Sequence, residues 1–274
     1  MSNIRFDNYY NEIYGSRWEL LQKSLIDERP AYELKNGLLK PYYLDYASVL
    51  AARSLRLPAF VPCPENNSAQ PAILDACAAP GGKSLVIAVS MPENATLLCN
   101  DHSAQRGRRL SDVLDMHLDP HLRSRVQVCS FDAAARAKQK NEHERFDAIL
   151  IDAPCSSEAH VLKNENALNK WTSARPRFLA QRQWALLSAA FLMLKKGGCL
   201  VYSTCAITII ENDGVAGRLL KKYQSHVELD PPDFSEGEKT NFGRIILPDK
   251  SSCGPIYVAR FKKIRDDTQN MALA

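Results

Sequence analysis

The segment AILDACAAPGGKS, residues 72–84, predicts a strand, a glycine turn and a helix in succession. AILD is typical of a buried strand, and residues 83–89 continue as a helix. The segment has neither the G-x-G-x-x-G spacing of a dinucleotide-binding turn nor the spacing of a Walker A loop. We expect Gly81 and Gly82 to let the backbone approach a ligand, because glycine has no Cβ in the way. The helix that begins there directs its free N–H groups towards the same ligand. A plain strand-to-helix turn is the alternative.

The succession of strand and helix repeats along the rest of the chain. Six further strands are predicted, at residues 96–99, 126–129, 146–151, 200–203, 226–229 and 256–261. Helices are predicted at residues 104–116, at 177–195 with Gly197 as the end signal, and at 210–223. This alternation implies an α/β fold with a mostly parallel sheet and helices on both faces. Such sheets bind ligands beyond the carboxyl ends of their strands.

Residues 1–70 differ from the rest and are predicted to form a helical N-terminal extension with a linker. An apolar stripe at helical spacing, expected to pack on the main body, comprises Tyr10, Ile13, Tyr14 and Trp18. A second helix is predicted over Asp45–Leu55, with its first residue as the N-cap. Residues 58–71 carry four prolines without periodicity, which indicates a connector. The main domain is predicted at 71–264, followed by a disordered tail at 265–274.

The composition is that of an ordinary globular protein. The 274 residues are 45% hydrophobic and 24% charged, and the formal net charge is +4. This hydrophobic content excludes a disordered chain, and no apolar run approaches the roughly 20 residues that a membrane span needs. The start of the chain carries acids and lacks a basic patch before an apolar stretch, so we expect a cytoplasmic protein without membrane binding. The mildly basic balance permits a polyanionic partner without requiring one.

The eight cysteines include no C-x-x-C pair, so no structural zinc site and no other metal site is expected. Cys99, Cys129 and Cys199 lie in short apolar stretches and are interpreted as small buried hydrophobes. Cys155 and Cys205 instead follow strand residues, in DAPCSS and YSTC. Neighbouring strand ends would bring both thiols to one cleft, where a thiolate is a strong nucleophile. Buried structural cysteines and a redox disulfide are the alternatives, and spacing does not choose which thiol is the nucleophile.

Aspartates end three successive predicted strands. They are Asp101 after TLLCN, Asp132 after VQVCSF and Asp152 after FDAILI. A carboxylate at the end of the second strand suits a ribose diol, because it accepts hydrogen bonds from both hydroxyls. A single aspartate in this position is more often a cap or turn residue. Three of them beside a glycine turn favour a cofactor of the nucleoside type.

Four motifs resemble those of a known family. DACAAPGGKS, NDHSAQRGRRL, DAPCSS and YSTC, in this order and spacing, resemble the RNA cytosine-5 methyltransferases of the Nop/Sun family. The resemblance extends from about residue 40 to the end of the chain. It implies a Rossmann-like class I methyltransferase fold with a mostly parallel seven-stranded sheet. It also implies formation of 5-methylcytosine in RNA, with S-adenosylmethionine as methyl donor and S-adenosylhomocysteine as product.

The resemblance assigns a set of residues to the cofactor. Those wrapping its methionine end are Cys77, Ala78, Ala79, Pro80, Gly81, Gly82 and Lys83. Asp101 holds the ribose hydroxyls, with support from Arg106. Asp132 lies beside the adenine, and Asp152 borders both the cofactor and the target cytosine.

The resemblance also assigns the catalytic residues. Cys205 is the nucleophile that adds to C6 of cytosine, which makes C5 electron-rich. Asp152, if protonated, would stabilise the charge at N3. Cys155, or a water that it orders, removes the C5 proton and helps to release the product. Lys83 either holds the cofactor carboxylate or tunes the thiols.

Two departures from the family pattern leave the target RNA open. Many members have P-C-S-G-T-G after the fourth strand, whereas this chain has PCSSEAHVLKNENALNKW, closer to the small single-domain branch that includes mitochondrial ribosomal-RNA enzymes. The glutamate-rich stretch after the threonine–cysteine is reduced to Glu211, Asn212 and Asp213. Neither departure removes a catalytic residue, and both ribosomal and transfer RNA stay possible as the substrate.

The expected partner is an RNA with an unstacked cytosine, since C5 and C6 are inaccessible inside a helix. Basic residues expected to guide its phosphates are Arg106, Arg108, Arg109, Lys170, Arg175, Arg177 and Arg182. A solvated basic face is the alternative for each group. Trp171 among them either stacks on a base or lies in the core. Without an appended RNA-binding domain, target choice falls to residues 1–70, to surface loops or to a protein partner.

Two rival functions stand beside this interpretation. One is an RNA-binding scaffold without turnover, against which the intact cysteines and acids argue. The other is a DNA cytosine-5 or small-molecule methyltransferase. In the DNA enzymes the proline–cysteine thiol is the nucleophile, so Cys155 would take that role.

Overall fold

The computed structural model of the protein describes residues 4–57 and 70–266. The predicted connector at 58–71 lies outside the described residues except for its last two positions. Most of the predicted tail at 265–274 lies outside them as well. Among the described residues, no helix is both long and apolar enough to cross a membrane.

A sheet of nine strands forms the centre of the described part of the chain. Its strands are β3 (Ala72–Asp75), β4 (Thr96–Asn100), β5 (Val126–Cys129), β6 (Phe146–Asp152), β7 (Leu194–Thr204), β8 (Val227–Leu229), β9 (Glu238–Lys239), β10 (Arg244–Ile246) and β11 (Ile256–Lys263). All seven predicted strands are present. The additional two, β9 and β10, have only two or three residues, too few to form a recognisable alternation. A separate hairpin, β1 (Tyr32–Leu34) with β2 (Tyr42–Leu44), was also not predicted.

The strand order places one crevice at the carboxyl ends of the central strands. The order is β5-β4-β3-β6-β7-β11-β10-β9, and β8 pairs with β11. Strands β3 to β7 run parallel, and β11 is antiparallel to β7. The chain moves outward from β3 through β4 to β5 and returns to β6 on the other side of β3. Loops after β3 and β6 therefore diverge, which opens the ligand crevice typical of doubly wound sheets.

Helices cover both faces of the sheet. The helices are α1 (Ile4–Tyr14), α2 (Trp18–Ile26), α3 (Tyr46–Arg53), α4 (Gly82–Ser90), α5 (Ala104–His117), α6 (Pro120–Ser124), α7 (Ala133–Arg136), α8 (Glu158–Lys163), α9 (Glu165–Asn169), α10 (Ala174–Met193) and α11 (Asp213–Lys222). Ile73 of β3 packs on one face in a core that includes α3, α4 and α5. Its neighbour Leu74 packs on the other face with α10 and α11. Alternate residues of a strand point to opposite faces, so both must be apolar.

Two predicted helix ends differ from the structure. The long helix α10 stops at Met193 instead of at the predicted residue 195, because Leu194 already pairs with Phe146 of β6 as a strand residue. Helix α11 begins three residues later than predicted. The preceding Glu211 is turned inward, where its side chain accepts hydrogen bonds from a neighbouring loop.

The N-terminal extension packs on the main body through aromatic rings. Tyr10 and Trp18 of the predicted stripe are buried, with ring centroids 4.9 Å apart. Phe6 packs edge-on against Trp171 at 5.0 Å. Trp171 is 3% exposed, so of its two predicted roles the core position is correct and base stacking is wrong. In α3, Asp45 caps the helix as predicted, accepting from the backbone N–H of Ala47.

Candidate active site

A cavity of about 500 Å³ lies beyond the carboxyl ends of β3, β4, β6 and β7. Its size is within the range of roughly 300–1,000 Å³ typical of small-molecule sites. The predicted residues that line it are Cys77, Ala79, Asp101, Arg106, Asp152, Cys155, Arg182 and Cys205. Residues from the loops after these strands therefore meet in one cavity, as expected for the carboxyl ends of parallel strands.

A smaller cavity of about 110 Å³ adjoins this one. It shares Cys77, Ala79 and Asp152 with the larger cavity. The remaining predicted cofactor residues that line it are Ala78, Pro80, Gly82 and Lys83. The loop after β3 thus forms the wall between the two spaces.

The double glycine of this loop is explained by packing within the protein. Gly81 has a φ of +119°, which side chains rarely adopt, and a Cβ there would lie 3.1 Å from both Leu110 and Val113 of α5. A Cβ on Gly82 would lie 3.0 Å from the Tyr42 ring. These glycines therefore make room for the protein's own side chains, and the expected approach of a ligand to their backbone stays a prediction.

Asp101 presents a buried carboxylate to the larger cavity. The residue is 3% exposed and accepts a hydrogen bond from the backbone N–H of Ser103 at 3.0 Å. Arg106 lies 3.3 Å from the other carboxylate oxygen and donates to the Ala79 carbonyl at 2.7 Å. Arg106 therefore links the loop after β3 to the loop after β4, in contact with Asp101 as expected.

Two residues that the sequence analysis did not single out shape the same wall. The Asn100 amide donates to the carbonyls of Ala76 and Phe131, and its oxygen accepts from the Phe131 backbone N–H. It joins the ends of three strands, so Phe131 lines the cavity in a fixed position. Buried asparagines carry no distinguishing sequence pattern, which is why this one was missed.

Asp132 is engaged away from the cavity. Its carboxylate caps α7 and pairs with Arg182 at 2.8 Å. The hydrogen bond from Arg182 lowers the pKa of Asp132 below its usual value. The neighbours Phe131 and Ala133 line the cavity, whereas Asp132 does not. Arg182 is therefore held in an ion pair, unlike the unpaired phosphate ligand expected from the sequence.

Asp152 and Lys83 form an ion pair at the boundary of the two cavities. Lys83 Nζ lies 2.8 Å from Asp152 and donates to Ser48 Oγ at 3.0 Å. The other Asp152 oxygen accepts from Ser203 Oγ at 2.9 Å. Burial lowers the pKa of Lys83, but the charge and hydrogen bond of Asp152 outweigh it and the net shift is upward. The Lys83 ammonium is thus held against Asp152, and the protonated Asp152 expected at N3 stays a prediction.

The two predicted thiols meet in the larger cavity. Cys155 Sγ and Cys205 Sγ are 2.6 Å apart, and both residues are free cysteines. Ser157 Oγ lies 3.0 Å from Cys205 Sγ and 3.5 Å from Cys155 Sγ. The hydrogen bond with Cys205, together with burial, raises the pKa of the Cys155 thiol well above its usual range. Cys155 therefore keeps its proton at neutral pH.

Ser157 reaches the thiols through an unusual backbone conformation. Its φ of +52° lies in the left-handed region, where many family members have the glycine of their P-C-S-G motif. Such a conformation costs of order 1–3 kcal/mol for a residue with a Cβ. Ser157 is a site residue that the sequence analysis missed, although the departure from glycine marked its position.

Four further cysteines of the described residues carry expectations from the sequence. Cys99 and Cys199 are buried as expected. Cys129 is partly exposed at the sheet edge, 3.6 Å from the Cys99 carbonyl. Burial raises the pKa of the Cys77 thiol, so it borders the cavity as a neutral group.

Comparison with known proteins assigns the family. A family model described as 16S rRNA methyltransferase RsmB/F matches residues 61–262. The chain belongs to the RsmB/F family. The resemblance to Nop/Sun-type RNA methyltransferases is thereby confirmed, and the methyl donor of the family is S-adenosylmethionine, as predicted.

The curated relatives of this RsmB/F family member are longer proteins. Ribosomal RNA small subunit methyltransferase F of Shewanella sediminis is 40% identical over 167 residues, 61% of this chain and 34% of that protein. The protein of the same name from Erwinia tasmaniensis is 35% identical over 197 residues, 70% of this chain and 40% of that protein. The chain thus spans two fifths or less of the length of these relatives.

Solved structures confirm the predicted Rossmann-like methyltransferase fold of this RsmB/F chain. NSun6 from Pyrococcus horikoshii with SFG, an analogue of S-adenosylmethionine, matches with a TM-score of 0.65 and 25% identity, covering 82% of this chain and 54% of that one. A methyltransferase homologue from Pyrococcus horikoshii has a TM-score of 0.71 and 21% identity, covering 96% of each chain. The second match shows the shared fold alone.

Proposed function

We propose that this RsmB/F chain methylates C5 of a cytosine in RNA, with S-adenosylmethionine as donor and a covalent Cys205–C6 intermediate. One observation carries the proposal: the paired thiols and Asp152, which pairs with Lys83, border the same cavity as the buried Asp101 carboxylate. A carboxylate that suits the cofactor ribose and a thiol that suits the cytosine ring thus border one cavity.

The residues at the cavity fit S-adenosylmethionine. Asp101 is a buried carboxylate that faces open space, which suits the two hydroxyls of a ribose. Cys77 and Ala79 would border the methionine portion, and Phe131, next to Asp132, would border the adenine. When bound, the cofactor supplies the electrophilic methyl group that the activated C5 accepts.

The chain's own residues perform the remaining chemistry on the cytosine ring. Cys205 adds as a thiolate to C6, and the electron pair displaced from the C5–C6 double bond makes C5 nucleophilic. Asp152 contacts N3, and the proton needed there comes from the Lys83 ammonium through the Asp152 carboxylate. Because the Cys155 thiol holds its own proton, a water that it orders removes the C5 proton after methylation and passes it to solvent. The bond from Cys205 to C6 then breaks, and the N3 proton returns to Lys83.

The electrostatics of the two thiols support Cys205 as the nucleophile. The raised pKa of Cys155 means that one thiol donates its proton in a hydrogen bond to the other. The charge of Cys205 also acts on Lys83, raising the pKa of that ammonium after the larger effects of burial and Asp152. A Cys155 thiol that keeps its proton can donate it to Cys205 Sγ, and Ser157 Oγ lies 3.0 Å from the same sulfur, which supports Cys205 as the nucleophile.

Small-subunit ribosomal RNA is the substrate that the names of the relatives favour. The target cytosine must leave its stack to reach Cys205 at the cavity floor. Exposed basic residues available for the phosphates near the cavity are Arg106, Arg108, Arg109, Lys170, Arg175 and Arg177. A protein partner or longer-range RNA contacts would select the cytosine.

The proposal is tested by methyl transfer from labelled S-adenosylmethionine to small-subunit ribosomal RNA, transfer RNA and matched DNA. We expect 5-methylcytosine in RNA, located by bisulfite sequencing, and none in DNA. Transfer to DNA without transfer to RNA would contradict the proposal and favour the DNA enzyme. RNA binding without transfer to any substrate would favour the scaffold.

Replacing Asp101 by Ala is expected to weaken cofactor binding at least about tenfold, because a buried carboxylate hydrogen-bonded to two hydroxyls contributes roughly 1.5–3 kcal/mol per bond. Isothermal titration calorimetry with S-adenosylhomocysteine measures the loss, and RNA affinity should not change. The matched control is Asp115→Ala in α5. This carboxylate is exposed and pairs with Arg123. Unchanged cofactor affinity in Asp101→Ala would remove this residue from the site.

A further inference from the structure

Two fully buried glutamates lie directly behind the cysteine loops. Glu158 and Glu211 are both 0% exposed, and the hydroxyl of Ser156, equally buried, forms short hydrogen bonds to a carboxylate oxygen of each. We call Ser156, Glu158 and Glu211 the carboxyl clamp. None of the three takes part in the proposed chemistry, so their burial needs another explanation.

The carboxyl clamp joins the two cysteine loops to each other. Ser156 follows Cys155 directly, and its backbone N–H donates to Glu211 at 2.9 Å. Glu211 lies on the loop after Cys205, and the backbone N–H of Ile207 on that loop donates to Glu158 at 3.2 Å. Each loop therefore supplies a donor to the carboxylate carried by the other.

Helix α10 and the N-terminal extension complete the cluster. Gln183 of α10 donates to Glu211 at 2.8 Å and to the Pro154 carbonyl at 2.9 Å. Tyr10 of α1 donates to Glu158 at 2.6 Å, and Tyr14 donates to the Ile207 carbonyl at 2.6 Å. The extension is thus fastened to the same loops that carry the thiols.

The hydrogen-bond geometry requires one shared proton. A serine hydroxyl has a single proton, so Ser156 donates to only one of the two carboxyls. Contact with the other oxygen then needs a proton on that carboxyl, which donates to Ser156 Oγ. Neither Glu158 nor Glu211 forms an ion pair with Lys, Arg or His in residues 4–57 and 70–266, and two uncompensated buried anions side by side would be strongly disfavoured.

We propose that the carboxyl clamp holds one proton between Glu158 and Glu211 and thereby positions the Cys155 and Cys205 thiols against each other. Its members are positioning residues, since they touch no reacting atom. The use of the thiols in methyl transfer rests on the proposed function, whereas their placement by the clamp does not.

The electrostatic surroundings of the clamp agree with a shared proton. Burial raises the pKa of Glu158 to about 7, and the charge of Glu211 acts in the same direction. Burial also raises the pKa of Glu211. The titratable groups that Glu158 or Glu211 act on are Tyr9, Tyr10 and Tyr14 from the extension, Cys155 from the loop before α8 and Tyr202 from β7. The charged residues Glu12, Arg17 and Arg177 act in turn on these tyrosines.

The sign of the pH dependence follows from these shifts. A carboxyl whose pKa rises from 4.5 unfolded to about 7 folded destabilises the folded state progressively as the pH rises between those values. Above about pH 7 the loss is complete and the Ser156 bridge lacks its proton. The clamp is therefore closed on the acid side of neutrality and loosened on the alkaline side.

The Glu211→Gln variant removes the titratable proton of the clamp and keeps its hydrogen bonds. The amide NH₂ donates permanently to Ser156 Oγ, the amide oxygen accepts from the Ser156 N–H and from Gln183, and Ser156 donates to an ionised Glu158. Ser156→Ala removes the bridge altogether. Ser54→Ala, which deletes a buried hydroxyl bonded to the Leu50 carbonyl elsewhere in the core, is the matched control.

The first measurement needs no RNA, so it is independent of the proposed function. The rate at which diamide oxidises Cys155 and Cys205 to a disulfide, followed by mass spectrometry, reports how often the thiols meet. We expect Ser156→Ala to slow this reaction roughly 10- to 100-fold, as misplacement by about 1 Å does for reacting groups. Ser54→Ala should match the wild type.

The second measurement compares pH profiles. The pH range from about 6 to about 8 brackets the pKa of Glu158. Across this range, the diamide oxidation rate of Glu211→Gln divided by that of the wild type should rise with pH. Methyl transfer should show the same divergence in kcat, with KM for S-adenosylmethionine unchanged. Parallel profiles for Glu211→Gln and wild type, or an undiminished oxidation rate in Ser156→Ala, would overturn the proposal. Absence of methyl transfer with the expected oxidation rates would instead count against the proposed function.

Discussion

A Cys205→Ala variant is expected to transfer no measurable methyl group to RNA and to form no covalent adduct with it. Without this sulfur nothing adds to C6, and C5 stays too poor a nucleophile to accept a methyl group. Loss of a nucleophile lowers kcat by at least about 10³-fold in well-studied enzymes. Labelled methyl transfer and a denaturing gel of the RNA–protein mixture measure both effects. Cys253→Ala, a buried cysteine away from the cavity, is the control that should retain activity.

The Cys155→Ala counterpart should behave in the opposite way on the gel. Methyl transfer to C5 can proceed, but the thiol that orders the proton-accepting water is missing, so the Cys205–C6 bond persists. We expect a slowly migrating RNA–protein adduct that accumulates with time. An adduct in Cys205→Ala and none in Cys155→Ala would reverse the two roles and give the arrangement of the DNA enzymes.

The gathering of the two thiols was predictable from strand order alone. Cys155 and Cys205 are 50 residues apart, yet each follows a strand whose apolar run is recognisable, and β6 and β7 are neighbours in the sheet. Side-chain alternation and apolar runs are local properties, so the seven main strands followed from sequence. The edge at which parallel strands end then fixed the site.

The partners of individual side chains were not predictable, because they come from distant elements. Arg182 was expected at a phosphate and instead pairs with Asp132, 50 residues away in sequence. Trp171 was equally compatible with a base or with the core until the Phe6 ring was placed against it. The carboxyl clamp combines Ser156 and Glu158 with Glu211 from the loop after Cys205, and no local pattern marks such a set.

The ion pair between Asp152 and Lys83 gives the second large effect. An Asp152→Asn variant is expected to lose about 10²- to 10⁴-fold in kcat, the usual contribution of a positioned proton-transfer group. Asparagine cannot pass a proton from Lys83 to N3 of the cytosine. Lys83→Met should cause a similar loss, and the double variant should lose little more, because the two residues act as one unit. Fully additive losses would contradict a shared path for the proton.

The variant should also change the pH dependence, with a sign set by Lys83. Asp152 raises the pKa of Lys83 against the effect of burial, so its removal lets that pKa fall. The residual activity of Asp152→Asn should therefore decline at a lower pH than wild-type activity, as the ammonium loses its proton. Stability from the pair is present at neutral pH and is lost only as the pH rises through the raised Lys83 value.

The chain offers a matched control for this experiment on the same strand. Asp147, near the amino end of β6, pairs with Lys195 at 2.8 Å, and both lysines have side chains 14% exposed. Asp147→Asn breaks an ion pair of equal length, with an equally buried lysine, outside the cavity lining, so it should lower the melting temperature while leaving kcat and its pH profile unchanged. Equal losses of kcat in the Asp147 and Asp152 variants would mean that the Lys83–Asp152 pair supports the fold and not the proton at N3.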